Sequence, residues 1–381
     1  MILKTLQYRK DTGWSDALPE LDGKETLVLV FGASSFVDDP EPIAELQRHF
    51  GNSIVAGCST AGEVLGCDIN DDTLSVAVAK FEASTLRLAT ATVDASGESR
   101  DAGSRLAEQL LGDDLQGVLL LSDGLLVNGT ELVAGLAERL PAGTSITGGL
   151  AGDGSRFERT WVVAGNDAPT KGVIAAVGFY GPRIHLGHGT RGGWDSFGPE
   201  RVVTRSEGNV LFELDGRPAL ELYKEYLGER AEGLPATALL FPLAIRSGVN
   251  EEKSLVRTIL AVDEQAQSMT FAGDVPQGWC ARLMKANFDR LIDGAAAAAQ
   301  QTRREDENAV STLAIAISCV GRRLVLGERT EEEVEATLEG LPHDTQMVGF
   351  YSYGEISPFS DGTCDLHNQT MTLTTIQESV T

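Results

Sequence analysis

The sequence predicts an α/β protein in which repeated β-α-β-β units form two lobes of mixed sheet with helices on the outer faces. Two observations lead to this prediction. One order of elements, strand–helix–strand–glycine turn–strand, occurs three times along the 381 residues. Strands that are joined both by helices and by short turns need parallel as well as antiparallel neighbours, which is the arrangement of a mixed sheet covered by helices.

The first copy begins with the apolar run 26–32, which is typical of a buried strand. The segment 39–41 (DPE) predicts a helix start, because proline is tolerated in a first turn and acids are favoured there. A second strand, 54–56, leads into the glycine turn 57–63 (GCSTAGE), and a third strand, 74–79, closes the copy. The pattern therefore predicts one complete β-α-β-β unit.

Two further copies repeat this order and define the expected lobes. The copies comprise strand 117–121, helix 131–140, turn 146–153 and strand 172–178, and then strand 313–317, helix 331–341, turn 347–356 and strand 370–376. A period this long indicates a repeated supersecondary unit. We expect copies one and two in a first lobe ending near Pro199, and the third copy with a degenerate fourth copy, around 238–274, in the second lobe.

Composition excludes several classes of protein. The net charge of −25 repels phosphate backbones and anionic lipid, so we expect neither a nucleic-acid nor a membrane-surface partner. The apolar runs fall short of the ~18–20 residues that a membrane span needs. The five cysteines are scattered without a C-x-x-C pair, which favours reduced thiols over disulfides or structural zinc. We therefore expect a cytoplasmic protein.

The glycine turns carry the best candidate binding residues. Glycine lets the backbone approach a ligand closely, and the adjoining small polar and aromatic side chains suit the wall of a small-molecule site. A plain turn whose carboxylate caps nearby N–H groups fits the same pattern. The residues expected around one shared recess are Cys58, Ser59, Thr60, Glu63, Tyr351, Tyr353 and Glu355, with His367 and Asn368, which either cap the last strand or point into the recess.

An enzyme with Cys58 or Ser59 as nucleophile is the alternative of another class. Residues 57–61 lack the second glycine of a G-x-S-x-G elbow, and no base is evident beside either side chain. We therefore expect a binding protein rather than an enzyme.

The segment 183–194 holds two of the five histidines, His185 and His188. On a strand, residues three apart face opposite sides, so these two would not chelate one metal together. Either histidine could ligate a haem iron, which needs one imidazole, while a histidine bonded to backbone at a strand end is the plainer interpretation.

Three motifs in this order resemble the FIST family: 57–63 (GCSTAGE), 208–219 (GNVLFELDGRPA) and 349–355 (GFYSYGE) with 367–370 (HNQT). The resemblance covers nearly the whole chain and implies a FIST N-terminal domain at 1–200 and a FIST C-terminal domain at 201–381. It also implies an intracellular sensory role in signal transduction, with amino-acid-like ligands suggested for some members.

A subset of that family, the NosP proteins, binds haem, senses nitric oxide and signals to histidine kinases or cyclic-di-GMP enzymes. This resemblance implies haem b, with His188 as the iron ligand, and we expect His185 and Arg191 beside the cofactor. We expect such a partner to act in trans. Two sensing functions therefore stay open, a haem-based nitric oxide sensor and a sensor of a small polar metabolite such as an amino acid.

Overall fold

The computed structural model describes residues 1–234, 236–248, 253–303 and 311–379. The strands within these ranges are β1 (Ile2–Arg9), β2 (Gly13–Trp14), β3 (Thr26–Ala33), β4 (Ile54–Thr60), β5 (Glu63–Leu65), β6 (Asp68–Asn70), β7 (Thr73–Lys80), β8 (Thr85–Thr92), β9 (Leu115–Ser122), β10 (Ser145–Leu150), β11 (Val162–Ala164), β12 (Val173–Tyr180), β13 (Ile184–Arg191), β14 (Asp195–Glu207), β15 (Val210–Leu214), β16 (Arg217–Pro218), β17 (Leu243–Arg246), β18 (Leu255–Arg257), β19 (Ile259–Asp263), β20 (Ser268–Phe271), β21 (Cys280–Lys285), β22 (Thr312–Cys319), β23 (Thr345–Ser352), β24 (Gly354–Pro358), β25 (Cys364–His367) and β26 (Met371–Glu378).

The α-helices in the same ranges are α1 (Glu41–His49), α2 (Ser99–Leu110), α3 (Gly129–Ala137), α4 (Ala219–Leu227), α5 (Phe288–Gln301), α6 (Val320–Leu326) and α7 (Thr330–Glu339). Short 3-10 helices lie at Ser34–Val37, Ser96–Glu98, Gly228–Gly233, Ala236–Leu240 and Gly327–Arg329. The helices of the three copies begin close to the predicted positions. Helix α5 begins only at Phe288, because Arg282 to Lys285 belong to β21.

The three copies form three six-stranded mixed sheets in which five strands follow the same order. The orders are β11-β4-β3-β7-β1-β2, β24-β10-β9-β12-β8 with β25 outside β24, and β5-β23-β22-β26-β13 with β6 outside β5. In each sheet the first two strands of the copy run parallel and its third strand runs antiparallel. The predicted α/β class with two sheet-rich lobes is confirmed.

Each copy passes the strand after its glycine turn to the sheet of another copy. Strand β5 of the first copy pairs with β23 of the third, β24 of the third pairs with β10 of the second, and β11 of the second pairs with β4 of the first. The exchange is cyclic, so the copies are related by a pseudo-three-fold arrangement. The expected placement of the third copy in a separate lobe is wrong, because the first copy completes its sheet.

One glycine recurs at the same position of the exchange, and the space around it explains why. A Cβ would come far too close to a carbonyl oxygen at Gly57 (1.9 Å from Val30), Gly148 (1.8 Å from Leu120) and Gly349 (1.9 Å from Ala316). Neighbouring strands can approach this closely only where the side chain is a hydrogen atom. The recurrent glycine is therefore required by the packing of each sheet.

The inner faces of the three sheets bury one common core. Equivalent positions of the three first strands supply its centre: Leu29 and Phe31, Leu119 and Leu121, and Ile315 and Ile317. The ring of Phe31 lies 4.8 Å, centroid to centroid, from that of Phe350. Helices cover the outer faces, with the apolar side of α1, for example, buried against the first sheet. Burial of apolar surface on both faces of each sheet stabilises the three copies as one body.

The second lobe is an antiparallel sheet inserted between β13 and α5. Its order is β18-β17-β21-β14-β15-β20-β19, with β16 paired to β15, and its own apolar core includes α4. The predicted fourth copy at 238–274 is wrong, because the described residues of that stretch form the antiparallel pairs β17–β18 and β19–β20 and no α-helix. The predicted domain boundary at 200/201 falls inside β14, and the division itself stays a prediction.

Candidate functional site

The three glycine corners touch one another where the strands exchange. Each corner donates one backbone N–H to a carbonyl oxygen of the next: Ala61 to Tyr351 (2.7 Å), Tyr353 to Leu150 (3.2 Å) and Gly152 to Ser59 (2.9 Å). The three bonds close a ring around the pseudo-three-fold. The corners therefore meet as expected, but they pack against each other instead of enclosing a recess among all three.

A cavity of about 600 Å³ lies beside this ring. All three copies supply its wall: the first corner with the β6–β7 turn, the segment that follows the second corner, and the helices α6 and α7. The side chains that define it are Thr60, Glu63, Ile69, Asp71, Asp72, Arg156, Val320, Arg323, Leu324, Glu328 and Glu331. Clefts of this volume hold small organic ligands.

Arg323 ties the third copy to the first at the cavity. Its guanidinium donates two hydrogen bonds to the carboxylate of Asp71, both 2.8 Å, and one of 2.6 Å to the backbone oxygen of Ala61. The bidentate bond from Arg323 lowers the pKa of Asp71 below its ordinary value. The guanidinium also lies over the ring of Tyr351. This pair spans the boundary between two copies.

Arg156 borders the cavity from the second copy and forms an ion pair within that copy. Its guanidinium is bonded to the carboxylate of Asp153, which also accepts hydrogen bonds from the hydroxyl of Ser34 and from the backbone N–H of Arg159. Burial opposes ionisation of Asp153, but the bonds from Arg156 and Ser34 lower its pKa. The Asp153 carboxylate at the second corner is therefore ionised, and the guanidinium of Arg156 balances its charge.

Glu63 and Glu355 occupy equivalent positions and make equivalent bonds. Each carboxyl accepts from a hydroxyl three residues earlier and from the backbone N–H and hydroxyl of a threonine that leads into the third strand: Thr60 and Thr73 for Glu63, Ser352 and Thr370 for Glu355. Burial raises the pKa of Glu63 to about 7 and that of Glu355 to about 8. Glu63 lines the cavity, whereas Glu355 does not and connects the third corner to Thr370 at the start of β26.

Cys58 and Ser59 are buried inside strand β4. Cys58 is 0% exposed, and burial raises the pKa of its thiol well above the ordinary value. The hydroxyl of Ser59 accepts a hydrogen bond of 3.0 Å from the backbone N–H of Trp161. Neither side chain lines the cavity, and a thiol in this setting is not a ready nucleophile.

Tyr351 and Tyr353 support the wall from behind. The hydroxyl of Tyr351 donates to the buried carboxylate of Glu333, 3.0 Å away. The Tyr353 ring stacks on Phe157, and its hydroxyl accepts from the backbone N–H of Phe157 and donates to the carbonyl of Gly154. Both tyrosines thus hold segments that border the cavity.

His367 and Asn368 lie in the third copy, away from the cavity lining. The His367 ring is bonded to the carbonyl of Ser357, and burial lowers the pKa of the ring to about 4. Asn368 is fully buried, and within the described part of the chain its side-chain amide has no hydrogen-bond partner. Their predicted contact with a ligand stays a prediction.

His185 and His188 lie on β13 and face opposite sides of it, while Arg191 ends the strand in solvent. On the face of β13 that carries His185 the fit to haem is poor. A Cβ at Gly187, on that face, would lie 2.7 Å from the carbonyl oxygen of Thr302, so the end of α5 packs directly on it. Burial lowers the pKa of His188, which favours the neutral imidazole. Haem ligation by His188 stays a prediction, and no mechanistic step below depends on it.

Sequence reasoning missed the charged residues of the cavity. Arg323 and Asp71 are 252 residues apart and become neighbours only through the strand exchange. Arg156 follows the second glycine turn by only a few positions, so its place next to Asp153 was the one available signal. In the part of the chain that the structure describes, none of the helices combines the length and the hydropathy of a membrane span.

Comparison with known proteins identifies the family. The FIST N domain model matches residues 26–217, and the FIST C domain model matches residues 219–358. FIST domains are generally sensory domains of signal transduction that bind small ligands.

Curated relatives come from mycobacteria. The chain is 26% identical over 255 residues to the uncharacterized proteins MT0656 and Rv0628c of Mycobacterium tuberculosis, and 27% identical over 252 residues to the uncharacterized protein Mb0898c of Mycobacterium bovis. These matches cover 63% of this chain and of the first two relatives, and 61% of this chain and 60% of the third. The chain thus spans less than two thirds of the relatives that it matches. From the two domain matches, the chain belongs to the FIST family.

Proposed function

We propose that this chain is a sensor of a small polar metabolite of amino-acid size, which binds in the cavity beside the corner ring and changes the contact with a signalling partner in trans, such as a histidine kinase or a cyclic-di-GMP enzyme. One observation supports this most strongly. The cavity is the place where the first, second and third copies all present side chains to one space.

A ligand in this position acts on the boundaries between copies. Arg323 holds Asp71 across one boundary, and Arg156 borders the same space from the second copy. A ligand that bonds to these groups binds one arrangement of the copies better than another, and only such a difference in affinity shifts a conformational equilibrium.

The residue beside Arg323 supplies a route to the second lobe. Arg322 is fully buried, forms an ion pair of 2.6 Å with Glu333, and donates a hydrogen bond of 2.8 Å to the carbonyl oxygen of Leu291 in α5. It also donates to the carbonyl of Gly192. The chain enters the second lobe just after Gly192 and leaves it just before α5. Arg322 therefore contacts both segments that connect the second lobe to the three copies. A shift of α6 at the cavity would therefore reach the second lobe.

A sensory function fits the chemistry of the glycine turns better than catalysis does. The two candidate nucleophiles, Cys58 and Ser59, are buried in β4 away from the cavity. The carboxyls of Glu63 and Glu355 are bonded to hydroxyls and backbone N–H groups of their own copies. These residues organise the fold around the site, and the enzyme alternative is the weaker proposal.

Thermal unfolding in the presence of each amino acid tests this function. A true ligand at a hundredfold excess over its Kd stabilises the chain by about 2.7 kcal/mol. In Leu324→Trp, the indole fills the cavity rim, where Leu324 is 45% exposed, and abolishes the shift. Leu260→Trp is the matched control, since Leu260 is 41% exposed on the second lobe. A shift that survives in Leu324→Trp would show that the ligand binds elsewhere.

A further inference from the structure

The two guanidiniums of the cavity are not free to receive an anion. The charge of Arg323 is already paired with that of Asp71 through two hydrogen bonds of 2.8 Å. Arg156 is bonded to Asp153, whose carboxylate is buried and ionised. An anionic ligand would have to separate one of these pairs and leave a carboxylate without its partner, which costs free energy.

Three further carboxylates at the cavity form no ion pair within the part of the chain that the structure describes. They are Asp72, Glu328 and Glu331. Asp72 accepts a long bond of 3.4 Å from the hydroxyl of Ser35 and interacts electrostatically with Arg156, whose charge is already paired with Asp153. Within the described ranges, neither glutamate forms an ion pair, although the neighbouring Glu332 is paired with Arg329 at 2.8 Å. The fixed charge around the space is therefore negative, and the chain's net charge of −25 adds to this potential.

Part of the cavity lining is apolar. Ile69, Val320 and Leu324 supply it, and Thr60 with the buried Glu63 adds polar groups to the same lining. An alkyl chain can lie on the aliphatic side chains while its charged end meets the carboxylates, which is the arrangement that amphipathic cations adopt on protein surfaces. The space thus combines a negative rim with a surface for methylene groups.

We propose that the ligand is a small organic cation, an aliphatic amine or a basic amino acid, whose ammonium group lies among Asp72, Glu328 and Glu331 and whose methylene chain lies against Val320 and Leu324. This inference rests on the proposed function, since it names the ligand class of the same cavity. It excludes acidic metabolites, which the two paired arginines would otherwise suggest.

Isothermal titration of the full chain with matched probes tests the charge class. One set is 1,5-diaminopentane against glutarate, which share a five-carbon chain and differ in the sign of their ends. The other set is L-lysine, L-norleucine and L-glutamate. Binding of 1,5-diaminopentane or L-lysine is expected, weakening as salt is added, with no heat from glutarate or L-glutamate.

Two variants locate the ammonium group. Glu331→Gln and Glu328→Gln should each weaken binding of the cation by about two- to fivefold, the effect of one exposed charge pair. Glu332→Gln is the control, because Glu332 lies on the same helix, is exposed and is engaged with Arg329 away from the cavity. All three positions are exposed, so the variants should fold like the parent chain.

The possible failures are distinguishable. If glutarate, L-norleucine or L-glutamate binds as well as the cations and Leu324→Trp removes that binding, the cation assignment is wrong while the cavity remains the ligand site. If Glu332→Gln weakens binding as much as Glu331→Gln, the assigned position of the ammonium group is wrong. If no probe of any charge binds, the cation assignment is overturned, and the proposed function is then judged by the screen of all the amino acids.

Discussion

Replacing Glu355 by glutamine should remove a large part of the pH dependence of folding. The Glu355 carboxyl is fully buried, and burial raises its pKa from the ordinary 4.5 to about 8. In the unfolded chain the same group ionises near its ordinary value. Between these two values the folded protein holds a proton that the unfolded chain has lost, so stability falls as the pH rises. Below the window and above it, this group makes no contribution to the slope.

The size of the effect follows from the width of that window, about 3.5 pH units. Each pH unit changes the free energy of unfolding by about 1.4 kcal/mol per group, so ionisation of Glu355 costs about 5 kcal/mol by pH 8. Glutamine stays neutral at every pH. Its carbonyl can accept from the backbone N–H and hydroxyl of Thr370, and its amide can donate to the hydroxyl of Ser352, which are the positions of the present bonds.

Urea unfolding between pH 5 and pH 8 measures this difference. The free energy of unfolding of Glu355→Gln minus that of the parent should rise by about 1.4 kcal/mol per pH unit up to pH 8. Glu63→Gln is the internal comparison, and its rise should end near pH 7, because burial raises the pKa of Glu63 only to about 7. Equal slopes for parent and Glu355→Gln would refute the assignment of a protonated carboxyl at this position.

Three other predictions follow from packing, thiol burial and the family resemblance. Urea unfolding should show that Gly349→Ala destabilises the chain by at least about 3 kcal/mol, because its Cβ would lie 1.9 Å from the oxygen of Ala316. The control Gly97→Ala should cost less than about 0.5 kcal/mol, because its Cβ meets nothing within 4 Å. Equal costs for the two variants would contradict the strand packing. In the native chain, Ellman's reagent should react rapidly with the exposed Cys67 and not with the buried Cys58 or Cys319, and a fast phase that persists in Cys67→Ser would contradict this. If the haem prediction holds, added haem gives a Soret band that His188→Ala loses and His185→Ala keeps; no band with the parent chain would reject it.

Local sequence patterns were sufficient to predict the elements of the three copies. The apolar run at 26–32 is β3, and the segment 39–41 leads into α1. The first glycines of the motifs 57–63 and 349–355, Gly57 and Gly349, have a physical basis, since a Cβ at either position would meet a carbonyl oxygen of the neighbouring strand. Patterns of this kind depend on residues close in sequence, where hydrophobic periodicity and turn chemistry are informative.

The exchange of strands could not be predicted in the same way. Strand β5 has three residues, and nothing in them specifies pairing with β23 nearly three hundred residues later. The antiparallel architecture of the second lobe was not predicted, because its short strands resemble the end of a β-α-β-β copy in composition. The cavity depends on both features, so Arg323 and Asp71 became candidates only in the folded chain.

The central claim is that a small polar ligand binds where the three copies meet. The most direct test is a crystal structure of the full chain grown with the amino acid or amine that gives the largest rise in melting temperature. Density for that compound is expected in contact with Thr60, Leu324 and Glu331. Density for the compound at another place, such as beside His188, with this cavity holding only water, would contradict it.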